Sequence, residues 1–171
     1  MYEFVPPADV TTKEIDTLLD KAFGPDRLAK TSYRFRQGVD PINELSMVAL
    51  HGKQLVGTIS YWPVVIGESG TPSLLLGPLA VEPSLRGFGI GVTLIRRTLA
   101  MARRQGHRIV VLVGDSDYYG RFGFVAASDH QIQMQGEPDR LMVRGLTPGA
   151  LEGIVGQVLP WRDLRTENQA A

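Results

Sequence analysis

The sequence predicts one mixed α/β domain, in which an antiparallel meander precedes a strand–helix–strand unit. Its 171 residues match the size of a single ordinary domain, and 43% of them are hydrophobic, enough for a buried core. The middle of the chain consists of short β-rich runs separated by tight turns, which is typical of a meander. Further on, a helical periodicity stands between two strand-like runs, Ser73–Val81 and Arg108–Val113. That order predicts a right-handed crossover between two parallel strands.

The N-terminal part is predicted to contain a short strand and a helix. Tyr2–Val5 is the predicted strand. Thr11 and Glu14 have the spacing of a capping box, and apolar residues then follow on one helical face until Gly24, before a proline, ends the helix. A second helical segment is predicted over Leu28–Arg36.

The meander is predicted from four β-rich runs and the turn residues between them. The turns lie at His51-Gly52-Lys53 and Gly67-Glu68-Ser69-Gly70. The predicted strands are Leu45–Leu50, Gln54–Trp62, Val64–Ile66 and Ser73–Val81.

The second half of the chain changes character. Glu82–Gly91 is a glycine-rich loop, and apolar residues from Ile90 onward lie on one helical face that ends near Gly106. Arg108–Val113 is continuously apolar after its first residue, which predicts a strand buried on both faces. The later predicted elements are a short helix at Ser116–Phe122 and strands at Phe124–Ala126, Ile132–Met134 and Leu141–Gly145.

Composition and charge argue against several classes of function. Eighteen basic and eighteen acidic residues give zero net charge, so no strong field attracts nucleic acid or an anionic membrane. Without cysteine there are no disulfides, thiolate metal sites or cysteine nucleophiles. His51, His107 and His130 stand apart, so no metal site is predicted. Because targeting signals and long apolar stretches are absent as well, we expect a cytoplasmic protein, with a frayed end at Thr166–Ala171.

The glycine-rich loop is the sharpest chemical signal in the sequence. Gly87, Gly89 and Gly91 stand between a predicted strand and a predicted helix. Such a turn can aim successive backbone N–H groups at one point beside the positive end of a helix dipole, and glycine lets a phosphate approach the backbone closely. Arg86 adds a fixed positive charge. The pattern favours a pyrophosphate ligand, although the same glycines could merely turn the chain.

The loop lacks residues that two known nucleotide-binding motifs require. A P-loop needs Gly-x4-Gly-Lys-Ser/Thr, which the sequence lacks. The dinucleotide fingerprint Gly-x-Gly-x-x-Gly needs a third glycine, but Val92 or Leu94 stands at that place. The loop also begins several residues after its strand, past Pro83. Since Asp115 lies near the place of a ribose-binding acid, a nicotinamide-dependent reductase stays open as a weaker alternative.

Two motifs flank the predicted crossover unit. The first is Arg86-x-x-Gly89-x-Gly91, preceded by Leu-x-Val-x-Pro over residues 79–83. The second is Tyr119-x-x-x-Gly123-Phe124, about thirty residues downstream. In this order they resemble the GNAT superfamily of N-acetyltransferases: the first is similar to its acetyl-CoA signature, and the second is similar to the form in a bacterial subgroup of poorly characterised acetyltransferases. The resemblance covers about residues 2–145, leaving 146–171 as a C-terminal segment of one 1–171 domain.

The resemblance implies both a fold and a cosubstrate. The fold is α/β of the α+β type: a mixed, mostly antiparallel sheet with two splayed parallel strands, here Ser73–Val81 and Arg108–Val113, and helices on both faces. Acetyl-CoA would lie with its pantetheine arm in the gap between those strands, and no metal is implied. The implied cofactor-binding residues are Leu79, Ala80 and Val81 for pantetheine and Arg86, Gly87, Phe88, Gly89, Ile90 and Gly91 for the pyrophosphate.

The implied reaction is acetyl transfer to a primary amine by direct attack on the thioester. Tyr119 occupies the position at which family members place a tyrosine beside the sulfur, and is the predicted general acid; Tyr118 is predicted to pack or to line the acceptor side. Some relatives carry a glutamate on the strand before the glycine loop, but Ser73–Val81 has no acid. The general base is therefore left open between Glu82, Asp115 and water.

Other properties stay open at the level of sequence. A non-catalytic acyl-CoA sensor or interaction module is the alternative to an enzyme. The acceptor is either a small molecule or a protein amine, and longer acyl groups or a homodimer are compatible with the resemblance. Leu28–Pro41 and the part after Gly145 are predicted to shape the acceptor pocket, to which Trp62 or Trp161 would contribute unless they pack in the core.

Overall fold

The computed structural model describes residues 1–161, which fold into nine strands, three α-helices and several 3₁₀ turns. The prediction of a frayed Thr166–Ala171 lies outside these residues. The helices are α1 (Thr12–Phe23), α2 (Ile90–Arg104) and α3 (Ser116–Tyr119). The strands are β1 (Tyr2–Val5), β2 (Met47–His51), β3 (Gln54–Ile66), β4 (Thr71–Val81), β5 (Ile109–Val113), β6 (Val125–Ala126), β7 (Ile132–Gln133), β8 (Leu141–Gly145) and β9 (Gly156–Pro160).

The strands form a mixed sheet that is mostly antiparallel. Its order is β1-β2-β3-β4-β5-β8-β6, with β9 pairing to β3 and to β7. Within the main path, β4 and β5 are the parallel pair, and α2 connects them. The predicted meander and crossover unit are therefore confirmed.

The two parallel strands separate after a short contact. They pair only at Leu74 with Val110 and at Leu75 with Val111. Beyond that point the β3–β4 register shifts, so that the two residues Gly77 and Pro78 of β4 stand opposite a single residue of β3. An extra residue bends its strand, and proline donates no hydrogen bond to a neighbouring strand. This bulge therefore turns β4 away from β5 and opens the sheet.

The cores on the two faces of the sheet follow the period of two along its central strands. Leu74, Leu76, Val110 and Leu112 face α2, whereas the intervening residues Leu75 and Val111 face the opposite core. The prediction that β5 is a strand buried on both faces is confirmed. Helix α1 packs through Leu18 and Leu19 near Ala80, on the face opposite α2, so helices cover both faces.

The prediction of a helix over Leu28–Arg36 is wrong. Two 3₁₀ turns, Pro25–Ala29 and Thr31–Phe35, stand there instead, separated by Lys30 in an extended conformation. Tertiary contacts explain the difference. The Arg27 guanidinium is held by two carboxylates of α1, and the Phe35 ring is fully buried in the core opposite α2.

Several strand boundaries also differ from the predictions. The runs Gln54–Trp62 and Val64–Ile66 form one strand that continues through Pro63, and Phe124 and Met134 lie just outside their strands. The predicted Ser116–Phe122 helix is α3 followed by a 3₁₀ turn. Strand β9 was not predicted. Among residues 1–161, no helix is long and apolar enough to cross a membrane.

Candidate functional site

Two adjoining cavities lie where β4 and β5 separate. The first, the splay cavity, measures about 480 Å³ and runs from the bulge of β4 to the residues that follow β5. The second, the glycine-loop cavity, measures about 440 Å³ and lies between β4 and the start of α2. Phe23, Leu79, Tyr118 and Tyr119 line both cavities, so the two adjoin, and together they are called the groove. Volumes of this size suit small-molecule ligands.

The glycine loop leaves its backbone open to a ligand. Gly87 and Gly89 have φ of 88° and 81°, a conformation that favours glycine, and a Cβ at either would meet open space. Gly89 is the N-cap of α2, and no side chain caps that helix. The first-turn N–H groups of a fifteen-residue helix therefore point out of the loop without a capping partner. Arg86 anchors the loop by donating to the Ala22 carbonyl of α1 at 3.3 Å.

The bulge gives β4 a free edge along the groove. From Leu76 to Val81 its sheet pairing is with β3, because pairing to β5 ends at Leu75. Leu79, Ala80 and Val81, all predicted to bind pantetheine, lie on this stretch and line the glycine-loop cavity. An exposed strand edge can pair with an extended ligand as an added strand.

The two tyrosines of α3 stand in different surroundings. Their rings meet edge to face, with centroids 4.9 Å apart. The Tyr118 hydroxyl lies against Gly91 in the first turn of α2, where an added Cβ would come within 2.9 Å of it. The Tyr119 ring packs instead on Gly114, where any Cβ would overlap it, and on Phe124. Tyr118 is therefore directed toward the glycine loop, and Tyr119 toward the end of β5.

Both phenols are neutral at pH 7, as an exposed tyrosine also is, and burial shifts them further in that direction. Burial raises the pKa of Tyr118, and burial together with the neighbouring Tyr118 raises the pKa of Tyr119 to about 12. At neutral pH Tyr119 therefore retains its proton and can donate a hydrogen bond inside the groove.

The two carboxylates that the sequence offered as bases differ in position. Glu82 does not line either cavity. It forms an ion pair with Lys21 at 2.6 Å, and this contact lowers the pKa of Glu82. Asp115 lines the splay cavity, but its carboxylate accepts the Asp117 N–H at 2.9 Å and so caps α3. Asp115 thus stands at the groove and Glu82 does not.

Neither of the two candidate tryptophans lines the groove. The Trp62 indole donates to the Gly77 carbonyl at 2.7 Å and holds the bulge in place. Trp161 lines a separate cavity with Ile109 and Ile154. Among residues 1–161, no three histidine, aspartate or glutamate side chains cluster as metal ligands.

Sequence reasoning did not single out Arg36, a charged residue of the groove, beyond predicting that the Leu28–Pro41 segment shapes the acceptor pocket. Arg36 follows the second 3₁₀ turn and lines the splay cavity opposite Gly77. No local pattern marks such a residue, because its place depends on how the Pro25–Phe35 segment folds back over the sheet. Tyr33, which lines the same cavity, was likewise covered only by the prediction that Leu28–Pro41 shapes the acceptor pocket.

A family comparison accounts for this arrangement. Residues 12–124 match the model of the acetyltransferase (GNAT) family. The match extends from α1 to Phe124 and so contains the glycine loop, the crossover and the paired tyrosines. The chain belongs to the GNAT acetyltransferase family.

Relatives with determined structures share most of this architecture. The chain is 31% identical over 147 residues to the uncharacterized N-acetyltransferase YhbS of Escherichia coli K12, covering 84% of this chain and 87% of that protein. The crystal structure of E. coli YhbS in complex with CoA superposes with a TM-score of 0.78 at 29% identity, over 96% of this chain and 91% of that one. A GNAT acetyltransferase from Brucella melitensis in complex with acetyl-CoA gives 0.68 at 28% identity, over 93% and 95%.

Proposed function

We propose that this protein transfers the acetyl group of acetyl-CoA to a primary amine by direct attack of the amine on the thioester. The observation that carries the proposal is the single groove formed by the two cavities. At one end of the groove, the open glycine loop stands at the N-terminus of α2, and the free edge of β4 follows it. The two tyrosines stand where the two cavities meet. These features suit a pyrophosphate, a pantetheine arm and a thioester, in that order.

The residues of the groove fit acetyl-CoA. Gly87 and Gly89 leave room for phosphate oxygens at the N–H groups of α2, and Arg86 supplies positive charge beside them. Leu79 and Val81 would pair with the amides of pantetheine through the free edge of β4. The complexes of the two relatives with CoA and with acetyl-CoA support the same ligand.

The chemistry needs a neutral amine and a stabilised leaving group. The amine nitrogen bonds to the thioester carbon, and the C–S bond then breaks to release the CoA thiolate. A lysine-like amine costs about 4.6 kcal/mol to deprotonate at pH 7, and an α-amine about 1 kcal/mol. Because Glu82 is bound to Lys21, we assign the proton of the amine to water, with Asp115 as the carboxylate at the groove.

Tyr119 is the proposed catalytic residue. With a pKa of about 12, it would lose about 5 kcal/mol in handing its proton completely to a thiolate whose parent thiol has a pKa near 8.5. A hydrogen bond to the sulfur avoids that cost and still stabilises the charge that develops as the C–S bond breaks. We therefore propose that Tyr119 acts as a neutral hydrogen-bond donor to the leaving sulfur.

The test combines binding and turnover. Acetyl-CoA is titrated calorimetrically, and release of free CoA is then followed with a panel of primary amines. Binding together with amine-dependent CoA release supports the enzyme. Binding without release by any amine would favour a non-catalytic acyl-CoA sensor, and absence of binding would refute the proposal.

A further inference from the structure

An arginine without a counter-ion lies in the splay cavity. The Arg36 guanidinium carbon stands 4.3 Å from the ring centroid of Tyr33 and 5.8 Å from that of Trp62. Its Nη2 faces Gly77, where an added Cβ would come within 3.2 Å. The cation is therefore enclosed by two aromatic rings and the bulge of β4, in the cavity that Tyr119 also lines.

No group in the described part of the chain neutralises this charge. Within residues 1–161, the ion pairs of arginine belong to Arg27, and the Nε and Nη1 atoms of Arg36 are buried without a hydrogen-bond acceptor. Burial lowers the pKa of Arg36 to about 10, so it is still protonated at neutral pH. A buried cation without a counter-ion is unfavourable, and the Tyr33 hydroxyl and the two aromatic rings offset only part of the cost.

The surroundings hold Arg36 in one place. The Tyr33 hydroxyl accepts a hydrogen bond from Arg27 at 3.0 Å, and Arg27 is in turn bound by Asp16 and Asp20. On the other side, the Trp62 indole is fixed by its hydrogen bond to Gly77. Both rings that enclose Arg36 are therefore anchored. A planar guanidinium held rigidly in a cavity is suited to bind a carboxylate.

We propose that the acceptor is a small primary amine that also carries a carboxylate, and that Arg36 binds this carboxylate. The inference rests on the proposed acetyl transfer and names its substrate class. The lining charges agree with it, since Lys30, Arg36 and Arg140 outnumber Asp115 and Glu137. The volume of about 480 Å³, part of which the acetyl end of the cosubstrate would occupy, leaves room for an acceptor of amino-acid size.

The test compares matched pairs of acceptors. Glycine, β-alanine and 4-aminobutyrate are each assayed beside the corresponding amide, and simple diamines complete the panel. The amine of each amide is the less basic of the pair and loses its proton more readily. Preference for the carboxylate member therefore cannot come from amine reactivity. We expect at least one carboxylate acceptor to exceed its amide in kcat/KM by about 10-fold or more.

The variants assign that preference to Arg36. Arg36→Gln is expected to abolish the preference mainly through KM, and Arg36→Lys to restore part of it. Arg34→Gln is the matched control, because Arg34 lies two residues away, lines a different cavity and donates to the Gln135 carbonyl; its preference should equal that of the wild type.

The possible outcomes separate the inference from the proposed function. Acetyl transfer with equal use of carboxylates and amides, or with preference for diamines, would overturn the inference and leave the acetyltransferase intact. An unchanged preference in Arg36→Gln would also overturn it. If acetyl-CoA binds but no amine in the panel is acetylated, the proposed function itself falls, and the inference with it.

Discussion

The side chains of Tyr118 and Tyr119 pack on different glycines, Gly91 and Gly114, and this difference makes a direct test possible. Tyr119→Phe keeps the ring that packs on Gly114 and removes the hydrogen bond proposed for the leaving sulfur. We expect kcat to fall by about 10²-fold with acetyl-CoA affinity little changed, in line with the loss of one donor to developing charge. Steady-state kinetics and calorimetry measure the two quantities.

Tyr118→Phe is the control for this substitution. Its hydroxyl lies at Gly91 rather than at the end of β5, so the variant should lose much less kcat. A Tyr119→Phe enzyme with near-normal kcat would show that Tyr119 only packs over the cosubstrate.

Arg27 and Arg36 both contact Tyr33, but replacing each by methionine should have different effects on the melting temperature. Arg27→Met removes charge-assisted hydrogen bonds to Asp16, Asp20 and Tyr33, each worth about 1.5–3 kcal/mol at most, and should lower Tm by several degrees. Arg36→Met removes a buried cation that lacks a counter-ion, so Tm should stay equal or rise. Thermal unfolding of the protein without ligands measures both. A large destabilisation by Arg36→Met would mean that Arg36 is structural.

The glycine loop can be tested as an element because the same helix offers a matched glycine. Gly89 precedes α2 and Gly106 follows it; their φ values are 81° and 88°, and a Cβ at either meets open space. Valine at either position is strained and should destabilise the fold to a similar extent. Only Gly89→Val should weaken CoA binding, because its side chain would stand at the proposed phosphate site. Equal CoA affinity in the two folded variants would place the pyrophosphate elsewhere.

The Lys21–Glu82 pair joins α1 to the strand end that leads into the glycine loop. Contact with Lys21 lowers the pKa of Glu82 below its ordinary 4.5, so the pair stabilises the fold above that pH. The stabilisation is lost as pH falls through the lower, folded-state pKa. Glu82→Gln should therefore be less stable than wild type at pH 7, and the gap should shrink below about pH 4.5.

Urea unfolding at several pH values measures this gap. Exposed Glu44 provides the control, since Glu44→Gln should leave stability nearly unchanged at each pH. The kcat of Glu82→Gln should change by no more than a few-fold. A large loss of kcat in a folded variant would restore Glu82 as the general base.

Elements with strong local signals were predictable, and elements set by tertiary contacts were not. Helix α1 carries its own capping box at Thr11 and Glu14, which the structure contains in full. Residues 28–36 have helical spacing, but the burial of Phe35 and the pairing of Arg27 impose two short turns. Gly77-Pro78 was the available signal for the bulge in β4, since both residues are unusual inside a strand. Strand β9 is short and has little periodicity.

For the molecule as a whole, the predicted fold class is confirmed: the chain order of the elements predicted the meander and the crossover, and the family resemblance implied the splayed parallel strands. A meander followed by a buried strand after a crossover leaves few topologies, and the parallel pair of β4 and β5 is where that order places it. The glycine loop and Tyr119 were predictable from local motifs. Arg36 was not, because three separate segments bring Tyr33, Trp62 and Gly77 around it. Only the folded chain therefore shows that Arg36 lines the groove.

The central claim is that one groove holds acetyl-CoA from the glycine loop to the end of β5. A crystal structure of the protein with a non-hydrolysable thioether analogue of acetyl-CoA tests it most directly. We predict pyrophosphate oxygens on the N–H groups between Gly87 and Val92, pantetheine amides on Leu79 and Val81, and the Tyr119 hydroxyl within hydrogen-bond distance of the sulfur. An analogue bound outside this groove, or bound in it with its sulfur away from both α3 tyrosines, would contradict the account.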